Sequence, residues 1–384
     1  MTKLLIDILF IVIFFYLIFL FYKKPEIGLV ILLILKPIST YLISFWVGDL
    51  TVKAIIVNFT VGTGILLYIL VKRKIYNILN PIFFLTLSLS IWLFFGLLYT
   101  PAISFKYGMY KSIAFFGESL LFVILALAFN RDFKKVYSFF YWCALSGWVF
   151  IILFFVTILS KSDISEITRF RFYYFAPIAL SRKISICILS CFVLKEINTH
   201  KSNKIQNIIL WIEILLGLLI MLFTGSKGPF IGLIISLFIF LYYKEEKKGI
   251  RKHFLLIMKS VILISFAFLL FILIPEGTQE RLSNLNISIN PRIELVKPSI
   301  KEMPNHIIQG GGTGSFSKSG FPSYPHNIFI EILVENGLVG QTIFIVFLVI
   351  IFSIITKGLK FFNKALLGTK YDVRNIRIYI LASI

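Results

Sequence analysis

The chain has 384 residues, 58% of them hydrophobic and 15% charged, with a mean hydropathy of +0.92. That balance excludes an ordinary soluble enzyme and requires a lipid bilayer as partner and solvent. The formal net charge of +21 would suit nucleic acid, but the basic residues stand in short clusters between apolar runs, the pattern of a topology signal, so no nucleic-acid partner is expected.

In chain order, apolar runs predict helices near 4–22, 27–47, 54–71, 81–99, 107–129, 136–159, 173–194, 206–223, 228–243, 255–274 and 327–356, with a partial one from 376. The first is too long for a signal-peptide core and no small-residue cleavage site follows it, so it reads as a span. Lys36-Pro37 interrupts the second, which is then either one kinked span or two half-spans. Cys143, Cys187 and Cys191 fall inside apolar runs without metal-type or redox-type spacing and read as small buried hydrophobes. The last segment has only nine apolar residues, too few to cross a hydrocarbon core of about 30 Å, and a truncated C-terminus is expected. The fold expected is an all-α polytopic integral membrane protein with about 11–12 transmembrane helices. Residues 1–274 hold the first ten helices, 275–325 form one long extracytoplasmic loop with a short amphipathic helix, and 326–384 hold the C-terminal helices.

The loops fall into two alternating sets. One carries Lys23-Lys24, Lys72-Arg73-Lys74, the clusters around residues 131–135, 195–204 and 244–252, and the segment from 357 to 377, together 22 basic residues. These loops are expected on the cytoplasmic side. The other set carries 7, among them Lys106, Arg169, Arg171 and Lys227, and is expected outside together with the long loop. No internal repeat is evident by eye.

Four features gather on that outer set. Thr224-Gly225-Ser226-Lys227-Gly228-Pro229 is a tight turn in which Ser226 suits an N-cap and Pro229 the first helical turn. Its backbone N–H groups, hydroxyl and ammonium could cradle a phosphate or diphosphate; equally, it is a helix hairpin whose lysine snorkels. Arg169 and Arg171 alternate with aromatics ahead of an apolar span, which suits oxygen-rich anions or plain interfacial anchoring. Arg182 and Lys183 lie at mid-depth of that span and need acidic or phosphate partners or a wet cavity. In the long loop, Arg292 opens the short amphipathic helix, and Gly310-Gly311-Gly312-Thr313-Gly314-Ser315-Phe316 either bends a backbone around a ligand or serves as a hinge.

The fourth feature is the run from Tyr324 to Gly340, where His326 and Asn327 open an apolar helix with Glu331 and Glu335 on one face. A histidine near neutrality can take a proton from a hydroxyl, and neighbouring carboxylates can orient it or hold a sugar acceptor. A helix-capping His-Asn pair with snorkelling glutamates fits the same residues. Glu118 lies seven residues from Lys111 on one helix and is offered as its neutralising partner.

Taken in order, the Thr-Gly-Ser-Lys-Gly turn, the arginine of the outer loop, the Gly-Thr-Gly-Ser-Phe segment and the His-Asn-x-x-x-Glu run resemble the O-antigen ligase and O-antigen polymerase superfamily of bacterial envelope proteins. The specific part of the resemblance covers residues 224–340. It implies an inverting, metal-independent glycosyl transfer without cofactors on the outer side of the bacterial inner membrane. The donor would be an undecaprenyl-diphosphate-linked glycan, and the acceptor another lipid-linked repeat unit or a lipid A core. By position His326 looks like the residue that activates the acceptor hydroxyl and Arg292 like the loop arginine that engages the donor. Lys227 stands where the family has arginine, keeping charge but losing the bidentate fork. Ser226, Arg169, Arg171 and Arg182 are further diphosphate candidates, and Glu331, Glu335 and Asn327 candidates for orienting the histidine or holding the acceptor. A repeat-unit polymerase is the first expectation and the ligase the close alternative; a transporter or flippase of a lipid-linked glycan, or a non-enzymatic envelope scaffold, uses the same residues differently. A chain-length regulator protein is a candidate partner of the polymerase.

Overall fold

The computed structural model describes residues 2–35, 38–39, 50–72, 80–129, 132–159, 176–197, 204–244, 279, 297, 306–316 and 327–368. Among these the secondary structure is helical, without a strand. Among the described residues five helices are long and apolar enough to cross a membrane: Ala102–Ala128, Lys134–Leu159, Pro177–Lys195, Lys204–Phe223 and Ile328–Ser353. Shorter apolar helices accompany them, so the chain is a multi-pass membrane protein. The helix expected at 255–274, the partial one from 376, Lys36-Pro37 and the amphipathic helix of the long loop lie outside the described residues.

The chain folds as two compact units. The first comprises Met1–Arg131 and Asn286–Ile354. It contains α1 (Thr2–Lys23), then α2 (Pro25–Val30), which passes into a π-helical turn at Ile31–Leu35. Pro25 cannot continue α1 and takes the first position of α2 instead. Next come α3 (Leu50–Val71) and α4 (Pro81–Gly96). Asn80 caps α4, its side-chain oxygen accepting from the Ile82 N–H at 3.0 Å, with Pro81 next in the first turn. After a short turn, α5 (Ala102–Ala114) continues through a π-helical stretch, Phe115–Leu120, into α6 (Leu121–Phe129). The sequence places the start of this span at 107; the structure starts it five residues earlier, directly after Pro101, whose fixed φ ends the preceding turn. Helix α1 packs on α3 where Gly64 lies flush against Phe21.

The second unit comprises Asp132–Leu285 and Ile355–Ile384. Its described helices are α7 (Phe133–Leu159), α8 (Pro177–Ile197), α9 (Lys204–Phe223) and α10 (Lys227–Lys244). Helix α8 packs against the other three and is the most enclosed, burying Leu180, Ile184, Ile188 and Leu194. Cys143, Cys187 and Cys191 are free and buried here, as their apolar setting predicts. Hydroxyl groups in the spans of both units bond the carbonyl four residues back, as Ser90 does to Thr86, Ser146 to Trp142 and Ser185 to Ser181. These hydroxyl groups are thereby satisfied without water. The last described helix, α11 (Ile328–Gly368), starts in the first unit.

Candidate functional site

Helix α11 is capped and then broken. Asn327 supplies the cap, its side-chain oxygen accepting from the Phe329 N–H at 3.0 Å and from that of Ile330 at 3.4 Å. Ten residues on, Gly337 adopts φ 62° and ψ −164°, outside helical geometry. A break inside an apolar helix strands backbone groups, because the Leu338 and Val339 N–H groups can no longer reach the Val334 and Glu335 carbonyls.

The glycine-rich segment of the long loop fills those four vacancies. Gly311 and Gly312 donate to the Val334 and Glu335 carbonyls at 2.8 and 2.9 Å, while Leu338 and Val339 donate to the Ile307 and Ile308 carbonyls at 2.9 and 3.2 Å. The Asn336 carbonyl accepts from the Trp92 indole N–H of α4 at 3.1 Å. Irregular backbone at this depth is tolerated because protein, and not lipid, surrounds it.

From there the loop enters the helices of its own unit. The Thr313 hydroxyl, fully buried, donates to the Leu93 carbonyl at 2.8 Å, and the Thr313 carbonyl accepts from the Thr100 hydroxyl at 2.9 Å. Gly96 and Gly108 present bare backbone to Thr313, and at Gly314, with φ +86°, a side-chain carbon would stand 2.7 Å from the Gly108 Cα. The glycines are there for close approach and positive φ; the segment is packed backbone, not the hinge that the sequence also allowed. At the rim, the Tyr99 hydroxyl donates to the Gln309 carbonyl at 2.8 Å. Burial raises the Tyr99 pKa above its ordinary value, so the hydroxyl stays a neutral donor.

One charged cluster joins α5 to α11. The Lys111 ammonium bonds the Glu335 carboxylate at 2.6 Å and the Glu331 carboxylate as well. Glu335 is 1% exposed, and its partners in the cluster are 25% exposed for Lys111 and 18% for Glu331. The sequence offered Glu118 as the neutralising partner of Lys111; in the fold two carboxylates more than two hundred residues away take that role. Spacing along one helix cannot reveal such a pair.

In the second unit, the turn after α9 is as tight as its sequence predicts. Gly225 takes φ 60°, its N–H reaches the Leu222 carbonyl at 2.9 Å, and the Thr224 hydroxyl donates to the Met221 carbonyl at 2.6 Å. Ser226 stands directly before α10, buried, with its hydroxyl donating to the Thr224 carbonyl at 3.4 Å. Lys227 opens α10, half-buried, and the space beside Gly228 is open. Arg182 is exposed in the second turn of α8, about 7 Å along the axis from the start of that helix. Glu213 of α9 is buried against Gly147.

His326, Arg292, Arg169 and Arg171 lie outside the described residues. Sequence reasoning passed over Trp92 and Thr100, paired Lys111 with Glu118 alone, and gave Thr313 and Asn336 no role of their own inside their motifs. A lysine inside an apolar span was a usable signal, since it demands a countercharge; the others carry no mark before the chain folds. No group of three or more His, Cys, Asp or Glu suited to a metal ion occurs among the described residues.

Residues 213–345 match a family model described as O-antigen ligase. That stretch contains the 224–229 turn, the glycine-rich loop and the whole run from Tyr324 to Gly340. A comparison with curated proteins finds no match.

Proposed function

Because the O-antigen ligase domain at residues 213–345 puts this chain in the O-antigen ligase and polymerase superfamily of membrane glycosyltransferase-like enzymes, we propose that it polymerises lipid-linked oligosaccharide repeat units. The donor is a glycan on undecaprenyl diphosphate, and transfer occurs at the outer face of the bacterial inner membrane with inversion and without a metal. The family match carries this reading, because it spans in one piece the motifs that suggested it.

The chemistry needs three things: cations against the departing diphosphate, a base for the incoming hydroxyl, and accurate placement. His326 is the proposed base. Arg292 and Lys227, with Ser226 and the helix N-terminus behind it, are proposed for the diphosphate, and Arg169, Arg171 and Arg182 as further cations. Asn327 supports this assignment by capping α11 next to His326 in the chain, where helix ends are otherwise prone to fray. Apolar helices offer the polyprenyl tail a surface beside the outer leaflet.

The deciding experiment supplies purified protein in proteoliposomes with one synthetic polyprenyl-diphosphate oligosaccharide. Chain growth without lipid A core, insensitive to a chelator and abolished by His326→Ala, is the expected result. A strict requirement for core turns the assignment to the ligase reaction. Full-length polymer from the His326→Ala protein removes the histidine from catalysis and with it the proposed mechanism.

A further inference from the structure

We propose that Lys111 is a positioning residue for the transfer step: by gripping Glu331 and Glu335 it sets the height and rotation of the half-helix 328–336 and of the Asn327 cap, the residue that follows His326 in the chain. This rests on the reading of His326 as the base.

The half-helix is separate from the rest of α11 because Gly337 interrupts the chain of helical hydrogen bonds. Its far end is held by the Gly311 and Gly312 N–H groups on the Val334 and Glu335 carbonyls and by Trp92 on the Asn336 carbonyl, while residues 307 and 308 hold the start of the other half at Leu338 and Val339. Those contacts fix the break, Phe329 in the first turn meets the Phe344 ring edge-on at 5.5 Å between centroids, and the charged cluster adds a hold on the first two turns. Lys111 acts on those two turns, since Glu331 and Glu335 lie one helical turn apart on the face toward α5. One ammonium with two carboxylates is poor as a stabilising device: an apolar trio of similar volume commonly does as well or better. What it offers is direction, because a buried charge tolerates few geometries. A displacement of about 1 Å at a reacting group costs on the order of a hundredfold in rate.

The test separates placement from stability. Turnover of the synthetic polyprenyl-diphosphate oligosaccharide in proteoliposomes is measured for Lys111→Met, Lys111→Arg, Glu331→Gln and the triple variant Lys111→Met/Glu331→Gln/Glu335→Gln, each beside its thermal unfolding midpoint, with His326→Ala as reference. The triple variant contains no unpaired charge. It is expected to unfold near the native midpoint while its kcat falls at least about tenfold and its KM for the donor stays within about twofold. Lys111→Arg should recover most of the kcat that Lys111→Met loses. If kcat returns together with stability in the triple variant, Lys111 is only structural and the proposal is overturned. Where the Lys111→Met and triple proteins do not fold, Glu331→Gln decides by itself: a severalfold lower kcat at unchanged midpoint supports the proposal, and native kcat overturns it. A fully active His326→Ala protein overturns the functional reading and this inference together, whereas an inactive one beside a fully active triple variant overturns the inference alone.

Discussion

Thr313 is fully buried among apolar helices, and its hydroxyl has a carbonyl to meet; the energetic weight of the glycine-rich loop follows from such single contacts. Thr313→Val removes that donor and is expected to destabilise the protein by about 1 kcal/mol, read from thermal unfolding in detergent. Gly314→Ala is worse, because a side chain must adopt positive φ and also press on the Gly108 backbone. A loss of about 2–4 kcal/mol is expected in the same assay. The Lys111→Met single substitution leaves two carboxylates without a cation, one of them 1% exposed, and should cost about 3–5 kcal/mol. Glu331 and Glu335 were legible in sequence as costly groups near a membrane boundary. Their partner was not, because a salt bridge between distant segments exists only once the helices carrying it are side by side.

The broken helix α11 is the element on which the first unit's candidate site turns. Hydropathy reads 327–356 as one uninterrupted apolar helix, and the glycine at 337 looks like any other small residue in a span. Only the hydrogen-bond accounting shows the break, with the Val334 and Glu335 carbonyls and the Leu338 and Val339 N–H groups all paired to the loop. Gly337→Ala opposes the break in two ways: φ 62° is costly for alanine, and its Cβ would collide with the backbone of Ile308 and Gly310. The expected outcome is release of the 306–316 segment, seen as a severalfold faster limited proteolysis there, with the rest of α11 still protected. An unchanged cleavage rate would mean that the loop is held elsewhere. The cap at Asn327, by contrast, was readable beforehand, since an asparagine ahead of an apolar helix has a local use for its side chain.

For the molecule as a whole, the charge count of the loops puts residue 72 inside and the 97–101 turn and the long loop outside. Within the first unit, Tyr99 and Thr100 bond Gln309 and Thr313, so that turn and this part of the loop share one end of the helices. Orientation is checked with a membrane-impermeant maleimide on intact cells with permeabilised outer membranes. Gln309→Cys, at an exposed position, should label, and Lys72→Cys should label only after lysis; the opposite pattern inverts the topology. Length, hydropathy and the spacing of Pro, Asn and Gly were enough to determine the helical class, most helix limits, the tight 224–226 turn and the motifs that the family match spans. Each of these depends on chemistry within a few residues or on the cost of polar groups in lipid. The tertiary structure alone decided that the glycine-rich loop enters the helices, that it heals a break in α11, and that Lys111 holds two glutamates. Those arrangements depend on hydrogen bonds and charges meeting between segments far apart in the chain, and no local pattern encodes which partner will be there.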